Sequence, residues 1–487
     1  MIQNFVKNRI ISYLPFVPNE GQEAALSKLS LFLAERSERP CFLLTGYAGT
    51  GKTSLVSALT RAMSALNQPT VLLAPTGRAA KVMSHYSGFG AYTIHKWIYV
   101  NRVPQGTPIK GESENRLIGE SVKWDLRFNK DKNTLFIVDE ASMISQELLR
   151  DLIAFVFQGE GCRLLLLGDD AQLPPVEYTE SPALQIGELE SHGLTVHAAQ
   201  LTEVARQAAE SGILKNATTI RTSIDSPSVR RRFAVGKHPT QIDRLLDLIT
   251  PYDDVHILPP NKMVEAIEQS YNEVGLEETL IITRSNKRTN LYNQGVRAQL
   301  LWKEDILQSG DRIMVSRNNY YFTQQYEGLP FLANGDMLEV LRLRNEREMY
   351  GFHFADVSLK SLDYEWEIDA VLWLDTLTTD TPEDSYRMQR DLYARIAEDY
   401  PEIRTKKEMR EKIAASPYYN ALQVRYAYAV TCHKAQGGQW KRVFIDPGAL
   451  DTLDSADATI EDYRWLYTAL TRATQSLYIL HNKPLQA

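Results

Sequence analysis

The segment Gly46-Tyr47-Ala48-Gly49-Thr50-Gly51-Lys52-Thr53 constrains this chain more than any other feature, because it stands between a strand-like apolar run, CFLLT, and a helix-like run, SLVSALTRAMSAL. Glycines at these spacings let a backbone wrap its N–H groups around phosphate oxygens, and the N-terminus of the following helix adds partial positive charge. With a strand before it and a helix after it, the segment reads as a phosphate-binding loop. Lys52 is then expected to reach the β and γ phosphates and Thr53 to ligate Mg²⁺, with Gly46, Gly49, Thr50, Gly51 and Ser54 completing the nucleotide-contact set.

A loop of this kind implies an α/β fold, and the rest of the chain agrees. Short apolar runs at 41–45, 70–74, 134–138 and 163–167 are bounded by turn residues, and several precede helical periodicity. That is the pattern of a parallel sheet covered by helices on both faces. A second series, at 279–283, 426–431, 442–446 and 476–480, predicts a second lobe of the same kind. The length of 487 residues fits two lobes, since it exceeds what one core usually serves.

Two insertions interrupt the series. The polar stretch from Tyr99 to Asn133 is too long for a simple connection and reads as an inserted hairpin or small subdomain. Between about Asp311 and Ala421, the alternating segments DMLEVLRL, YGFHFADVSL and EWEIDAVLWL suggest a small β-barrel, broken by the helical stretch PEDSYRMQRDLYARIAEDY. The expected division is a first lobe over 1–215 with an insertion at 98–133, a second lobe over 216–310 and 421–487, and a barrel-like insertion with a helical segment over 311–420.

Composition excludes several classes. A hydrophobic share of 44% and a charged share of 24% are those of a soluble globular chain. No apolar run reaches the ~20 residues needed to span a bilayer, and the N-terminal MIQNFVKNRIISYLPF lacks the character of a secretory signal. A cytoplasmic protein without membrane contact is expected. Cys41, Cys162 and Cys432 are an odd number with no metal-ligand spacing, which argues against a disulfide framework or a zinc site. The net charge of −7 rules out a uniformly basic surface but leaves room for a local basic channel.

Carboxylates follow one of the strand runs. LFIV ends in Asp139-Glu140, at the edge of a parallel sheet where ligands bind. Asp139 can hold Mg²⁺ through water and Glu140 can activate a water molecule; a solvated acidic strand end is the plainer alternative. Another run, LLLL, leads into Gly168-Asp169-Asp170-Ala171-Gln172-Leu173-Pro174-Pro175-Val176. There Gln172 is a neutral group able to bond both a γ phosphate and an attacking water, or simply a loop amide facing solvent.

Taken in order, GYAGTGKT, APTGRAAKV, YTIHKW, VDEASM, GDDAQLPPV, LTEVARQ, VTCHKAQGGQW and YTALTRA resemble the motifs of superfamily-one helicases of the RecD-like and Dda-like branch, over roughly Asn19 to Thr474. The resemblance implies two RecA-like lobes, ATP with Mg²⁺, and movement 5′ to 3′ on single-stranded DNA with separation of forked duplex. Leu173-Pro174-Pro175 is the feature that favours this branch over UvrD-type relatives of opposite polarity.

The same resemblance assigns residues. Gln22 matches the glutamine that reads adenine, although it would also suit a helix's first turn. Arg206 and Arg472 match two arginines that reach the nucleotide, the second from the far lobe, and Gly437 matches a turn approaching it. Pro75, Thr76, Arg78, Thr93 and His95 in the first lobe, with Thr431, His433 and Lys434 in the second, match the grip on the DNA backbone. Such contacts position a strand without specifying its sequence. Trp97, Trp124, Tyr320 and Tyr321 are candidate stacking platforms, while Arg230-Arg231-Arg232 reads as a solvated helix end. The first insertion occupies the place of a strand-separating pin, and the second resembles a strand-guiding barrel. Two other readings remain open: a phosphotransferase built on the same loop, and a DNA-stimulated remodelling ATPase that does not unwind.

Overall fold

Burial on both faces explains why the strands of the first sheet read as almost unbroken apolar runs. In the computed structural model, which describes residues 2–100, 125–203, 210–225, 245–324, 326, 329, 331–453 and 457–481, six strands lie parallel in the order Ala91–Thr93, Thr70–Ala74, Leu135–Val138, Arg163–Gly168, Pro40–Gly46 and Thr195–Leu201. Leu164 to Leu167 are all fully buried in its middle. Helices Glu20–Ala34, Lys52–Ala65 and Gly77–Ser87 contribute Leu26, Phe32, Val56, Leu59 and Met83 to the core against Phe42, Leu44 and Leu72.

The chain divides into two compact units. One comprises Met1–Ile98, Arg127–Arg284 and Thr431–Ala487; the other comprises Tyr99–Leu126 and Ser285–Val430. The first unit holds the six-stranded sheet and four strands of a second sheet. In the second sheet Thr279–Thr283, Trp440–Asp446, Ala473–Leu480 and Val255–Leu258 lie side by side in that order, again all parallel. The three cysteines are buried and free.

The second unit contains a closed barrel of five strands, Arg312–Val315, Met337–Met349, Phe352–Ser361, Glu367–Trp373 and Leu422–Tyr426. Its closing pair, Leu372 with Leu422, is parallel and the other ladders are antiparallel. The expected helical stretch is real, and it forms Pro382–Glu398, followed by Lys406–Ala414. Leu392, Ile396 and Ile413 from these helices pack on Phe354 and Trp373, so the helices cover one side of the barrel.

Two expectations need adjusting. The run read as one strand over 426–431 is two: Tyr426 ends the last barrel strand, and Ala429–Thr431 starts a new one. The barrel therefore extends beyond residue 420. The first insertion begins and ends as a two-stranded antiparallel ladder, Tyr99 and Val100 against Leu126 and Asp125; the pin expected between them, with Trp124, lies outside the described residues, as does the Arg230–Arg232 run. Among the described residues no helix is long and apolar enough to cross a membrane.

Candidate active site

The carboxyl edge of the first sheet collects the predicted chemistry, because parallel strands all end on the same side. Strand Pro40–Gly46 delivers the phosphate loop, which turns through Gly49 (φ 74°) and Gly51 (φ 87°) into helix Lys52–Ala65. Those left-handed conformations suit glycine. At Gly46 the constraint is space: a Cβ would lie 2.9 Å from the Leu201 backbone oxygen. Lys52 folds its ammonium over the loop, donating to the carbonyls of Gly46 at 2.5 Å and Tyr47 at 2.9 Å.

Strand Leu135–Val138 delivers Asp139 and Glu140. Glu140 has a φ of 52°, a conformation uncommon outside glycine and held here as its N–H donates to Asp139 Oδ1 at 2.8 Å. The other oxygen of Asp139 accepts from the Tyr86 hydroxyl at 2.6 Å. Burial pushes the Glu140 carboxyl up, against the pull of Arg472 and Lys52. Arg472, from the turn before the second-sheet strand Ala473–Leu480, lies 3.9 Å from Glu140 Oε1. Its guanidinium is aimed by the carbonyls of Thr468 and Gly438, each at 3.1 Å.

Strand Arg163–Gly168 delivers the Gln172 loop. Gln172 is only 8% exposed, and its Oε1 has no hydrogen-bond partner among the described residues. A buried amide oxygen left bare is costly unless something else uses it. The loop itself is fixed: Asp169 Oδ1 accepts from Ala171 N–H at 3.1 Å, and Leu173 bonds Thr468 Oγ1 at 3.0 Å through its N–H and Gln436 Nε2 at 2.7 Å through its carbonyl.

A cavity of about 920 Å³ unites these groups. Gly49 to Ser54, Asp139, Glu140, Gln172 and Arg472 line it, with Phe16 and Gln22 on another wall. The two sides of the predicted clasp, Lys52 and Arg472, thus share one space. Gln22 is more committed than expected: it accepts from Asn19 N–H at 3.0 Å in a helix capping box and donates to the Thr50 carbonyl at 3.0 Å, which ties that helix to the phosphate loop. An amide retains one further N–H for a base.

Gly437 departs from expectation. It lies off the cavity wall, and a Cβ there would meet Ala79 Cβ at 2.8 Å and Thr76 Oγ1 at 3.2 Å, so its backbone approaches the start of helix Gly77–Ser87 rather than the cavity. Beside it Arg78 donates to the Gln439 carbonyl at 3.3 Å and sits 5.0 Å from the Trp440 ring centre. Thr76, after Pro75, caps helix Gly77–Ser87. Thr93 Oγ1 accepts from Lys96 N–H at 3.2 Å. Burial pushes the His95 imidazole down to about 4 and lowers His433 too. Thr431 precedes the short helix Cys432–Ala435, which carries His433 and Lys434. Arg206 lies outside the described residues. Trp97 pairs with Tyr92 at 5.0 Å and Tyr320 with Phe331 at 5.2 Å, while Tyr321 donates to the Ala415 carbonyl.

Parts of the chain are similar to known proteins. Residues 18–228 match the AAA domain family and residues 426–480 the UvrD-like helicase C-terminal domain. The chain is 31% identical over 201 residues to the ATP-dependent RecD2 DNA helicase of Deinococcus radiodurans, covering 41% of this chain and 24% of that protein. It is 32% identical over 203 residues to the ATP-dependent DNA helicase dda of Enterobacteria phage T4, covering 42% of each. Over these stretches the chain is similar to helicases of the RecD-like and Dda-like kind. Its matches nonetheless span less than half of either relative's length. A 22% match to the uncharacterized protein R530 of Acanthamoeba polyphaga mimivirus covers 94% of this chain and 99% of that one. A solved structure of Pif1 helicases concerned with unwinding at forked DNA aligns over 97% of this chain and 93% of that one, with 16% identity and a TM-score of 0.46.

The site also holds residues to which the sequence assigned no role, one of them, Tyr467, inside the YTALTRA motif itself. Tyr86 grips Asp139. Arg221, 1% exposed, bonds Asp169 at 2.7 Å, Asp225 at 2.9 Å and also Asp170. Tyr467 donates to Asp169 Oδ2 at 2.5 Å and accepts from Ala48 N–H at 2.9 Å. Arg221 and Asp225 are four residues apart on one helix, a spacing that reads as an ordinary surface pair.

Proposed function

We propose that this chain is an ATP-dependent DNA helicase that moves 5′ to 3′ along single-stranded DNA and separates forked duplex. The observation that carries the reading is the shared cavity, in which Arg472 from the second sheet's side stands 3.9 Å from Glu140 beside the phosphate loop. A phosphotransferase needs a cradle; a cation supplied from a second sheet makes hydrolysis depend on how two sheets are spaced, which is what a motor requires.

In this reading the first lobe covers residues 1–215 with its insertion at 98–133, the remainder of the first unit forms the second lobe, and the barrel is an insertion into it. Lys52 leaves the loop carbonyls to hold the β and γ phosphates. Glu140 takes a proton from the attacking water, and Gln172, whose oxygen is bare, orients that water. Arg472 and Arg206 offset charge developing on the transferred phosphoryl group; guanidinium suits this because it stays charged and forks onto oxygens. Thr53 and Asp139 give hard oxygen donors on the cavity wall, as Mg²⁺ prefers. When bound, the ion offsets phosphate charge.

Pro75, Thr76, Arg78, Thr93 and His95 grip the strand from one lobe, and Thr431, His433 and Lys434 from the other. Net movement follows only if the nucleotide changes the relative affinity of the two grips. The test is ATP turnover with and without single-stranded DNA, followed by unwinding of duplexes bearing a 5′ or a 3′ tail. Turnover indifferent to DNA would sink the motor reading. A preference for 3′ tails would overturn the direction alone.

A further inference from the structure

Two adjacent residues of the phosphate loop are the two ends of one hydrogen-bonded chain. From Tyr47 the hydroxyl donates to Asp225 Oδ2 at 3.0 Å; Arg221 links Asp225 at 2.9 Å to Asp169 at 2.7 Å. Tyr467 donates to the other oxygen of Asp169 at 2.5 Å and accepts from Ala48 N–H at 2.9 Å, which closes the ring. The Arg221 guanidinium also lies 4.4 Å from the Tyr47 ring centre. Arg221, Asp169 and Tyr467 are each 1% exposed, and charge-assisted bonds among such buried groups are directional and mutually reinforcing.

Tyr467 is the ring member that belongs to helix Ile460–Leu470, the helix that leads into Arg472 and the second sheet. Its neighbour Thr468 bonds Leu173 N–H, and Gln436, which follows the His433-Lys434 helix, bonds the Leu173 carbonyl. The loop from Asp169 to Leu173 is therefore held at both ends by side chains from the second sheet's side. Between those ends sits Gln172 with its bare oxygen.

We infer that Tyr467 is a positioning residue for ATP hydrolysis, its hydroxyl fixing the Gln172 loop against the phosphate loop. This rests on the chain being an ATPase. Burial and Asp169 keep the hydroxyl protonated, so it acts as a fixed donor and takes no part in proton transfer. Asp169 would still be paired with Arg221 without it, but the Ala48 N–H and the Gln172 loop would lose their common anchor. Hydrolysis would then proceed from a less exact geometry.

The experiment is Tyr467→Phe, which removes the hydroxyl and keeps the ring, in the full chain with saturating single-stranded DNA. A misplacement of this kind is expected to lower kcat about tenfold to a hundredfold while KM for ATP changes less than about threefold, as for an interaction made only in the transition state. Gln172→Ala supplies the second arm. If Tyr467 acts through Gln172, adding Tyr467→Phe to Gln172→Ala has little further effect, whereas a merely structural loss adds in full. Additive losses, or a Tyr467→Phe variant turning over at the unaltered rate, overturn the proposal. Thr468→Val releases the other end of the loop and carries the same expectation should Tyr467→Phe fail to fold. If the unaltered chain hydrolyses no ATP, the parent reading fails with it; normal turnover with a silent Tyr467→Phe defeats the ring alone.

Discussion

Glu140 must lose a proton to act as a base, and its surroundings make that harder. Burial raises its pKa, while Arg472 is the largest opposing influence. The rate is therefore expected to fall on acidification at a higher pH than an ordinary glutamate would give. Arg472→Ala should move this acid limb to still higher pH as well as lower the plateau, which a kcat profile against pH would record. An unmoved limb would mean that the pair does not act on the base. Lys52→Ala and Glu140→Gln should each cost at least about a hundredfold in phosphate release, the scale of losing one preorganised charge-stabilising group. At this scale the sequence was readable where backbone geometry demands particular residues: Gly49, Gly51 and Lys52 announce themselves, and Asp139 and Glu140 follow an apolar strand. Tyr86 and Arg221 carry no such mark, and Tyr467, although it opens the YTALTRA motif, has no role that spacing reveals, because a hydroxyl or guanidinium can reach its partner from many spacings.

The barrel illustrates what sets stability in an element. Asp311 is fully buried and receives Arg297 through two bonds of 3.1 and 3.0 Å, Tyr428 at 2.7 Å and Lys303 at 3.1 Å. Burial alone would raise its carboxyl, but the bonds from Arg297 and Tyr428 hold it below the usual range. Its contribution is thus present above the ordinary unfolded value, near 4, and is lost as pH falls through the lower folded value. Asp311→Ala would strand a buried Arg297 and is expected to cost about 3–5 kcal/mol by urea unfolding; Asp311→Asn should flatten that acid dependence. Trp373→Ala, emptying the space between barrel and helices, should cost about 3–5 kcal/mol. Central strands were legible because both faces are apolar. Thr195–Leu201 and Val255–Leu258 were not, since each is the last strand of its sheet and stays partly exposed. Arg312–Val315 and Leu422–Tyr426 are too short to show alternation against their flanks.

Across the molecule, a net charge of −7 means that any hold on DNA must come from local cations rather than from the average surface. Burial leaves His95 neutral near physiological pH. His95→Ala should therefore weaken DNA binding without changing its salt dependence, while Lys434→Ala should reduce the slope of log affinity against log salt by about one. Titrations at several salt concentrations decide between them; equal slopes for all three proteins would remove Lys434 from the phosphate contacts.

The second sheet pairs Leu280 with Val443 across the whole barrel segment. A ribosome would release every strand of the first sheet before Thr279 emerges, so that sheet can mature while the other has only its early strands. The apolar strand Thr279–Thr283 must then wait for Trp440–Asp446 with that edge bare, a state prone to sticking to other chains. Because the barrel sets Ile313 beside Tyr426, its early formation would draw the waiting partners together and shorten the search. The inserted domain would thereby serve as a scaffold during biosynthesis, and defects in it would surface first as poor yield of soluble protein.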